Sequence, residues 1–388
     1  MSFLDSDAEA VLREQVHDVL GKPEVVEALL AVRTGGPEPD VRPLYRELAA
    51  HGLLAVSWPA EYGGRGASHA EFAAVIEELV RGGVPDMLHV LSVQIVGLFL
   101  LQAGTDEQKR RWLPELAAGR RFATVLYTEP EVGSDLASLS TRAVRDGDGY
   151  RVSGVKVYGL KSAVSDLGLC AVRTSEGSTK YEGISLFLID LEAEGVTRSH
   201  LASFADEQFD HVVLDDVYVP ASALLGREGE GWSLLTRCLA IERTGLDYSL
   251  KAERWYNACL SGLDPHDVDD ALLEQIGRHG AAVSAGRLLA WDCIGRLDRN
   301  ALDPASAATA KFHTSETAQA VAVWAGEVYG PGYARHRLAP ETAAVLDSGY
   351  REAPGLTLSA GTSQMMLELV AGLGFDRPSE EGNRGSAS

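Results

Sequence analysis

Apolar residues recur at helical spacing over 8–20 and again over 45–51, where Gly52 follows as a C-terminal stop. Ser68 stands before an amphipathic stretch that runs to Val80, and Glu71 follows it by three residues, the reciprocal signature of a capping box. After Gly104, TDEQKRRWLPEL begins with a Thr/Asp cap and early acids, which predicts a helix ending near Pro114. From Phe122 the texture changes. The runs TVLYT, YRVSGVKVY, LGLCAVRT, GISLFLIDL and EQFDHVVLDDVYVP are separated by Gly and Asp turns, the pattern of antiparallel strands. From Gly231 helical texture returns, and 232–260, 268–298, 304–329 and 357–373 are predicted to form an antiparallel bundle. The chain therefore reads as α+β in three parts: an N-terminal helical domain (1–120), a central antiparallel β-sandwich or barrel (121–228) and a C-terminal four-helix bundle (229–375). A polar tail follows at 376–388.

The 388 residues are 45% hydrophobic and 23% charged, ordinary for a globular protein, and suffice for roughly two or three packed units. A formal net charge of −21 argues against nucleic acid or an anionic membrane as partner, because both require a basic face. The N-terminus, MSFLDSDAEAVL, has acids where a signal peptide would have a basic region, so a cytoplasmic location is expected. The uncharged run 87–103 falls short of the ~18 to 20 apolar residues that span a bilayer and is predicted as a buried helix. Cys170, Cys238, Cys259 and Cys293 form no CxxC pair and the ten histidines no HExxH, so no metal site is indicated.

The most informative segments are TEPEVGSD at 128–135 and GDGYRVSGVKVY at 147–158. A Thr-Glu-Pro turn, a Gly-Ser-Asp turn and a glycine-punctuated strand pair offer amide N–H groups and a hydroxyl to a flavin edge or a pyrophosphate. With SAGTSQMMLELV at 359–370 and HGLLAVSWPAEYGGRGASHAEFAAVIEELVR at 51–81, the chain resembles the acyl-CoA dehydrogenase family of flavoproteins over almost its whole length. The resemblance implies FAD, with Tyr127, Thr128, Ser134, Tyr158, Gly330, Gly332, Thr362 and Gln364 about the cofactor, and Ser134, Arg243 and Gly361 about the substrate. It also implies an acyl thioester substrate, carried on CoA or a carrier protein, and an electron-transferring flavoprotein or oxygen as electron acceptor. A homo-oligomer (dimer or tetramer) or a hetero-oligomer with a related chain completes the expected set of partners.

The chain departs from the family at the chemistry. Many members carry the glutamate that removes the α-proton directly before this GTSQ segment, where Ala360 stands here. Some relatives keep the base before an arginine on the helix opening the C-terminal bundle, and LAIERTGLDY places Glu242 beside Arg243 there. Glu242 is thus the expected base, with the Ala360 backbone N–H on the thioester carbonyl. The family's Trp-Ile-Thr-Asn is Tyr158-Gly159-Leu160-Lys161 here, which keeps an aromatic and loses a hydroxyl. Its diphosphate-clamping Arg-x-x-Phe-Gly loop corresponds to the acidic ACLSGLDPHDVDD, and its Gln-x-x-Gly-Gly-x-Gly to 326–332, without the Gln. These changes predict weakened FAD binding. Besides the dehydrogenase, three readings stay open: a cofactor-sharing subunit of a mixed oligomer, a flavin monooxygenase on the same fold, and a flavin-free lyase or binding module.

Overall fold

The computed structural model describes residues 6–35, 39–330 and 338–374, apart from the side chains of 240–242, 373 and 374. It has helices at both ends of the chain and one sheet between them. The N-terminal helices are α1 (Asp7–Leu20), α2 (Pro23–Thr34), α3 (Arg42–Ala50) and α4 (His69–Arg81). Ser68 and Glu71 cap α4 reciprocally, and the carboxylate of Asp298, from the far end of the chain, accepts from the next two amides, His69 and Ala70. The uncharged run is a single helical rod with two α-helical ends, α5 (Met87–His89) and α6 (Leu98–Ala103), and a π-helical middle, Val90–Gly97. Gly97 lies against the buried Trp58 ring, where a Cβ would come within 2.1 Å of the indole. Helix α7 (Asp106–Ala117) runs through Pro114 rather than stopping there. The Thr105–Gln108 capping box stabilises its start, and the proline removes only one amide donor close to the C-terminal end.

The strands are β1 (Ala123–Leu126), β2 (Arg142–Asp146), β3 (Gly149–Leu160), β4 (Leu167–Arg173), β5 (Ile184–Asp190), β6 (Val196–Leu201), β7 (Phe209–Pro220) and β8 (Leu224–Leu225). Their order is β6-β7-β3-β2-β4-β5-β8, with β1 beside β4. The pairing is antiparallel except for β1 with β4 and a single register pair between β2 and β4. Strand β4 shows why both faces are buried. Leu167, Leu169 and Ala171 pack on the helices around 91–117, while Cys170 and Val172 face the interior of the curved sheet with Phe187 and Val212.

The C-terminal helices are α8 (Gly231–Glu242), α9 (Leu246–Ser261), α10 (Asp270–Asp298), α11 (Pro304–Tyr329), α12 (Pro340–Leu356) and α13 (Ser363–Gly374). Two of these differ from the sequence reading. The stretch 232–260 is broken at Gly245, whose φ of 80° ends one helix and starts the next. Helix α12, rich in Gly and Pro, adds an element to the expected four. The N- and C-terminal helices are joined by Glu77, which is fully buried. It accepts from Arg13 at 2.7 Å, from Arg287 through both oxygens at 2.9 Å and from Trp291 at 2.8 Å. Burial opposes its charge, but the Arg287 and Trp291 hydrogen bonds hold its pKa below the ordinary glutamate value.

Candidate functional site

Strand β1 leads into the Tyr127-Thr128-Glu129 turn, which is closed by reciprocal 3.0 Å bonds between the backbones of Glu129 and Val132. The Val157 amide donates to the Thr128 carbonyl at 3.0 Å, so the turn lies against the end of β3 where Tyr158 stands. Beneath it, Glu129 accepts from Ser140 N and Oγ at 2.7 Å each, from Thr141 N at 2.8 Å and from Lys156 Nζ at 2.9 Å. Lys156 also donates to the Tyr127 carbonyl at 3.1 Å. Burial works against the Glu129 charge, yet the Lys156 ammonium and the Thr141 and Ser140 hydrogen bonds draw its pKa down to about 2. The acid of the Thr-Glu-Pro turn is therefore an anchor beneath the site.

Tyr158 projects outward, 59% exposed, with its ring edge-on to Phe209. Its φ is 57° and that of Lys161 is 59°, a left-handed backbone that bulky residues seldom adopt and that costs roughly 1 to 2 kcal/mol each. Strain of this kind persists where the surroundings impose it, here a register shift between β3 and β7 at Lys156/Gly159. Tyr127, Thr128 and Tyr158 thus form one group. Ser134 is exposed on the following turn, whose Asp135 pairs with Lys180 at 2.6 Å.

A second group forms at the loop between α12 and α13. Ala360 and Gly361 both have left-handed backbones, φ 52° and 96°. The Arg243 Nε, at the C-terminal end of α8, donates to the Ala360 carbonyl at 2.9 Å. Lys311 Nζ, fully buried on α11, donates to the carbonyls of Gly361 at 2.8 Å and Leu356 at 3.1 Å. Thr362 caps α13 by accepting from the Met365 amide at 3.2 Å, and Gln364 is exposed on its first turn. Among the described residues the amides of Ala360, Gly361 and Thr362 meet no acceptor. Glu242 ends α8 next to Arg243, but its side chain lies outside the described residues.

Two hollows involve segments singled out in the sequence. One, of about 200 Å³, begins at Thr244, next to Arg243, and is walled mainly by Phe72, Val93, Gln94, Leu98 and Leu246. The other, of about 240 Å³, is lined by Leu263 and Asp267 from the acidic stretch 258–270 and by Glu327 and Val328 near the end of α11. A phosphate placed there meets two carboxylates, so this hollow does not suit the FAD diphosphate. Gly330 ends α11 with φ 70°, and Gly332 lies outside the described residues. At the other group Tyr158, an exposed aromatic of the kind on which a planar ring stacks, stands beside a turn anchored by the Glu129–Lys156 pair.

Helix α12 also carries a partly buried ionic cluster. Lys251 pairs with Glu352, and Arg351 on α12 reaches both oxygens of Asp206 in the loop between β6 and β7. Burial and the nearby Asp86 push Asp247 up to about 6 against the pull of Lys251. Sequence reasoning singled out neither Lys311 nor the Glu129–Lys156 pair. A signal existed for both: Lys311 interrupts a face otherwise made of Ala307, Ala308, Ala310, Thr314 and Ala318, and Lys156 occupies an inward strand position.

Comparison with known proteins gives matches over the same span. The profiles described as acyl-CoA dehydrogenase N-terminal, middle and C-terminal domains match residues 6–120, 124–217 and 229–372. The chain is 32% identical over 353 residues to acyl-CoA dehydrogenase FadE29 of Mycobacterium tuberculosis, covering 88% of this chain and 89% of the relative. It is 25% identical over 386 residues to the caffeyl-CoA reductase-Etf complex subunit CarC of Acetobacterium woodii, covering 95% of this chain and 98% of that one. The solved Tcur3481-Tcur3483 steroid ACAD superposes with a TM-score of 0.85 at 28% identity, covering 97% of this chain and 100% of the other.

Proposed function

The chain belongs to the acyl-CoA dehydrogenase family of FAD-dependent oxidoreductases, and on that premise we propose that it acts in α,β-dehydrogenation of an acyl thioester with Glu242 as the base. The observation that supports this is the Arg243 Nε bond to the Ala360 carbonyl at 2.9 Å. It holds the last turn of α8, where Glu242 stands, against a loop with three amides that meet no acceptor among the described residues. In this reading the thioester carbonyl accepts from the Ala360 and Gly361 amides, which stabilise the negative charge that grows on its oxygen. The α-proton passes to the Glu242 carboxylate and stays there until the product leaves. FAD, when bound at the Thr128 and Tyr158 face, supplies the hydride acceptor for the β-hydrogen, and Ser134, Thr362 and Gln364 are proposed to contact it. The hollow beginning at Thr244 takes the acyl chain, and an electron-transferring flavoprotein or oxygen is the final acceptor.

The test is α-proton exchange of a bound acyl-CoA in deuterated water. Glu242→Gln is expected to slow exchange by about 10² or more with little change in binding. Exchange at the wild-type rate in that variant removes Glu242 from the role.

The acidic hollow favours a second reading, in which the chain is one half of a mixed oligomer and a related chain holds the diphosphate. The visible spectrum of the purified chain, alone and with FAD, separates the two. A stable flavin band from this chain alone supports the first reading, and a colourless chain that turns yellow only with a related partner supports the second.

A further inference from the structure

We infer that Lys311 is a positioning residue: from behind the loop it sets the direction of the Gly361 and Thr362 amides, so that they join Ala360 in facing the acyl carbonyl. The inference rests on the dehydrogenase reading above and adds a residue to it. In a planar trans peptide the C=O and N–H point in opposite directions. Arg243 fixes the Ala360 carbonyl and Lys311 fixes the Gly361 carbonyl, at 2.9 and 2.8 Å, so the amides of Gly361 and Thr362 are turned to the other side. The second Lys311 bond, to Leu356 at 3.1 Å, secures the last carbonyl of α12, where a cation also complements the helix dipole. Tyr248 completes the support, with its ring 5.3 Å from the ammonium and its hydroxyl 3.2 Å from Ser359 Oγ.

Lys311 has no place in ordinary helix packing. It is 0% exposed and, among the described residues, no carboxylate pairs with it within 4.0 Å. An ammonium buried in this way is unfavourable unless its donors are used. Burial, with Arg243 adding to it and Asp247 opposing, lowers its pKa to about 8. The loop in turn needs the anchor, because Ala360 is held left-handed without the freedom of glycine. Placing a cation behind the loop also raises the positive potential where the enolate oxygen develops.

The test uses the full-length protein in its purified oligomer, with Lys311→Met and Lys311→Gln, and two readouts. The first is hydrogen exchange at Ser359 and Ser363, whose amides are bonded to Gly355 and Thr357 within the loop. The second is the fraction of bound acetoacetyl-CoA present as enolate, read from its ultraviolet band across pH. Lys311→Met is expected to speed loop exchange about tenfold and to cut the enolate fraction about tenfold, an apparent pKa rise of about one, with little change in probe affinity. Lys311→Gln, a shorter and uncharged donor, is expected to show about a threefold change in each. If the Met variant does not fold, the Gln variant decides. Wild-type loop exchange in the folded variants overturns the role of Lys311. Faster loop exchange with an unchanged enolate fraction overturns the assignment of these amides to the carbonyl. A wild-type protein that binds the probe with no enolate band counts against the dehydrogenase reading, while loop exchange still decides on Lys311.

Discussion

Lys156 Nζ lies 2.9 Å from Glu129 Oε1 directly beneath the Thr-Glu-Pro turn, and both side chains are closed off from solvent. A pair of this kind adds little over apolar packing, yet removing one member strands the other charge. Lys156→Met is therefore expected to destabilise the fold by about 3 to 5 kcal/mol, measured by urea denaturation. A loss below about 1 kcal/mol would show that water or rearrangement satisfies Glu129.

The same pair gives stability a pH dependence. Glu129 titrates at about 2 in the folded chain against 4.5 for an ordinary glutamate. Its contribution is complete above about 4.5 and fades as pH falls toward 2, since the unfolded chain takes up the proton first. Stability should accordingly drop with acidification across that window, and Glu129→Gln should flatten the slope there. An unchanged slope in the variant assigns the acid sensitivity to other carboxylates.

The acidic hollow near Asp267 and Glu327 bears on the cofactor. If it faces the FAD diphosphate in the oligomer, Asp267→Asn with Glu327→Lys should tighten FAD binding at least about tenfold, since one charge-assisted bond is worth roughly 1.5 to 3 kcal/mol. Flavin fluorescence titration at low salt measures the effect, which should shrink as salt is added. Identical affinity in the variant places the diphosphate elsewhere.

Glu77→Ala should cost about 3 to 5 kcal/mol, because it leaves Arg13 and Arg287 facing each other without their shared carboxylate. Thermal denaturation should remain a single transition if α1, α4 and α10 unfold together. A separate early transition would mark the N-terminal helices as an independent unit.

How far the sequence discloses the molecule depends on the range of each interaction. The α4 capping box and the helix 304–329 rest on neighbours in the chain, and the structure shows both. The break at Gly245 was hidden, because a lone glycine in a helical pattern is usually tolerated; here its close approach to Ala310 and Thr314 of α11 decides it. Parallel pairing of β1 with β4 follows from a contact over some forty positions, which no local pattern encodes. In the site, Thr128, Tyr158 and the GTSQ segment stood out through their motifs. Lys311 did not, because a lysine in a helix ordinarily reaches solvent, and its burial arises only when α12 and α13 close over it.

The π-helical turn at Val90–Gly97 gives the chain a mechanical register. Ser92, within it, exchanges hydrogen bonds with the backbone of Ala123, donating to its carbonyl at 3.2 Å and accepting from its amide at 2.9 Å. Ala123 is the first residue of the strand that leads into the Thr-Glu-Pro turn. The wide turn holds more residues than α-helical winding would, so deleting one there would re-aim the side chains within 90–97 while the helices on either side kept their faces. Either Ser92 or the Trp58 contact at Gly97 would then lose its partner. The length of 90–97 is thereby tied to those two contacts, however freely the apolar side chains along the rod are exchanged.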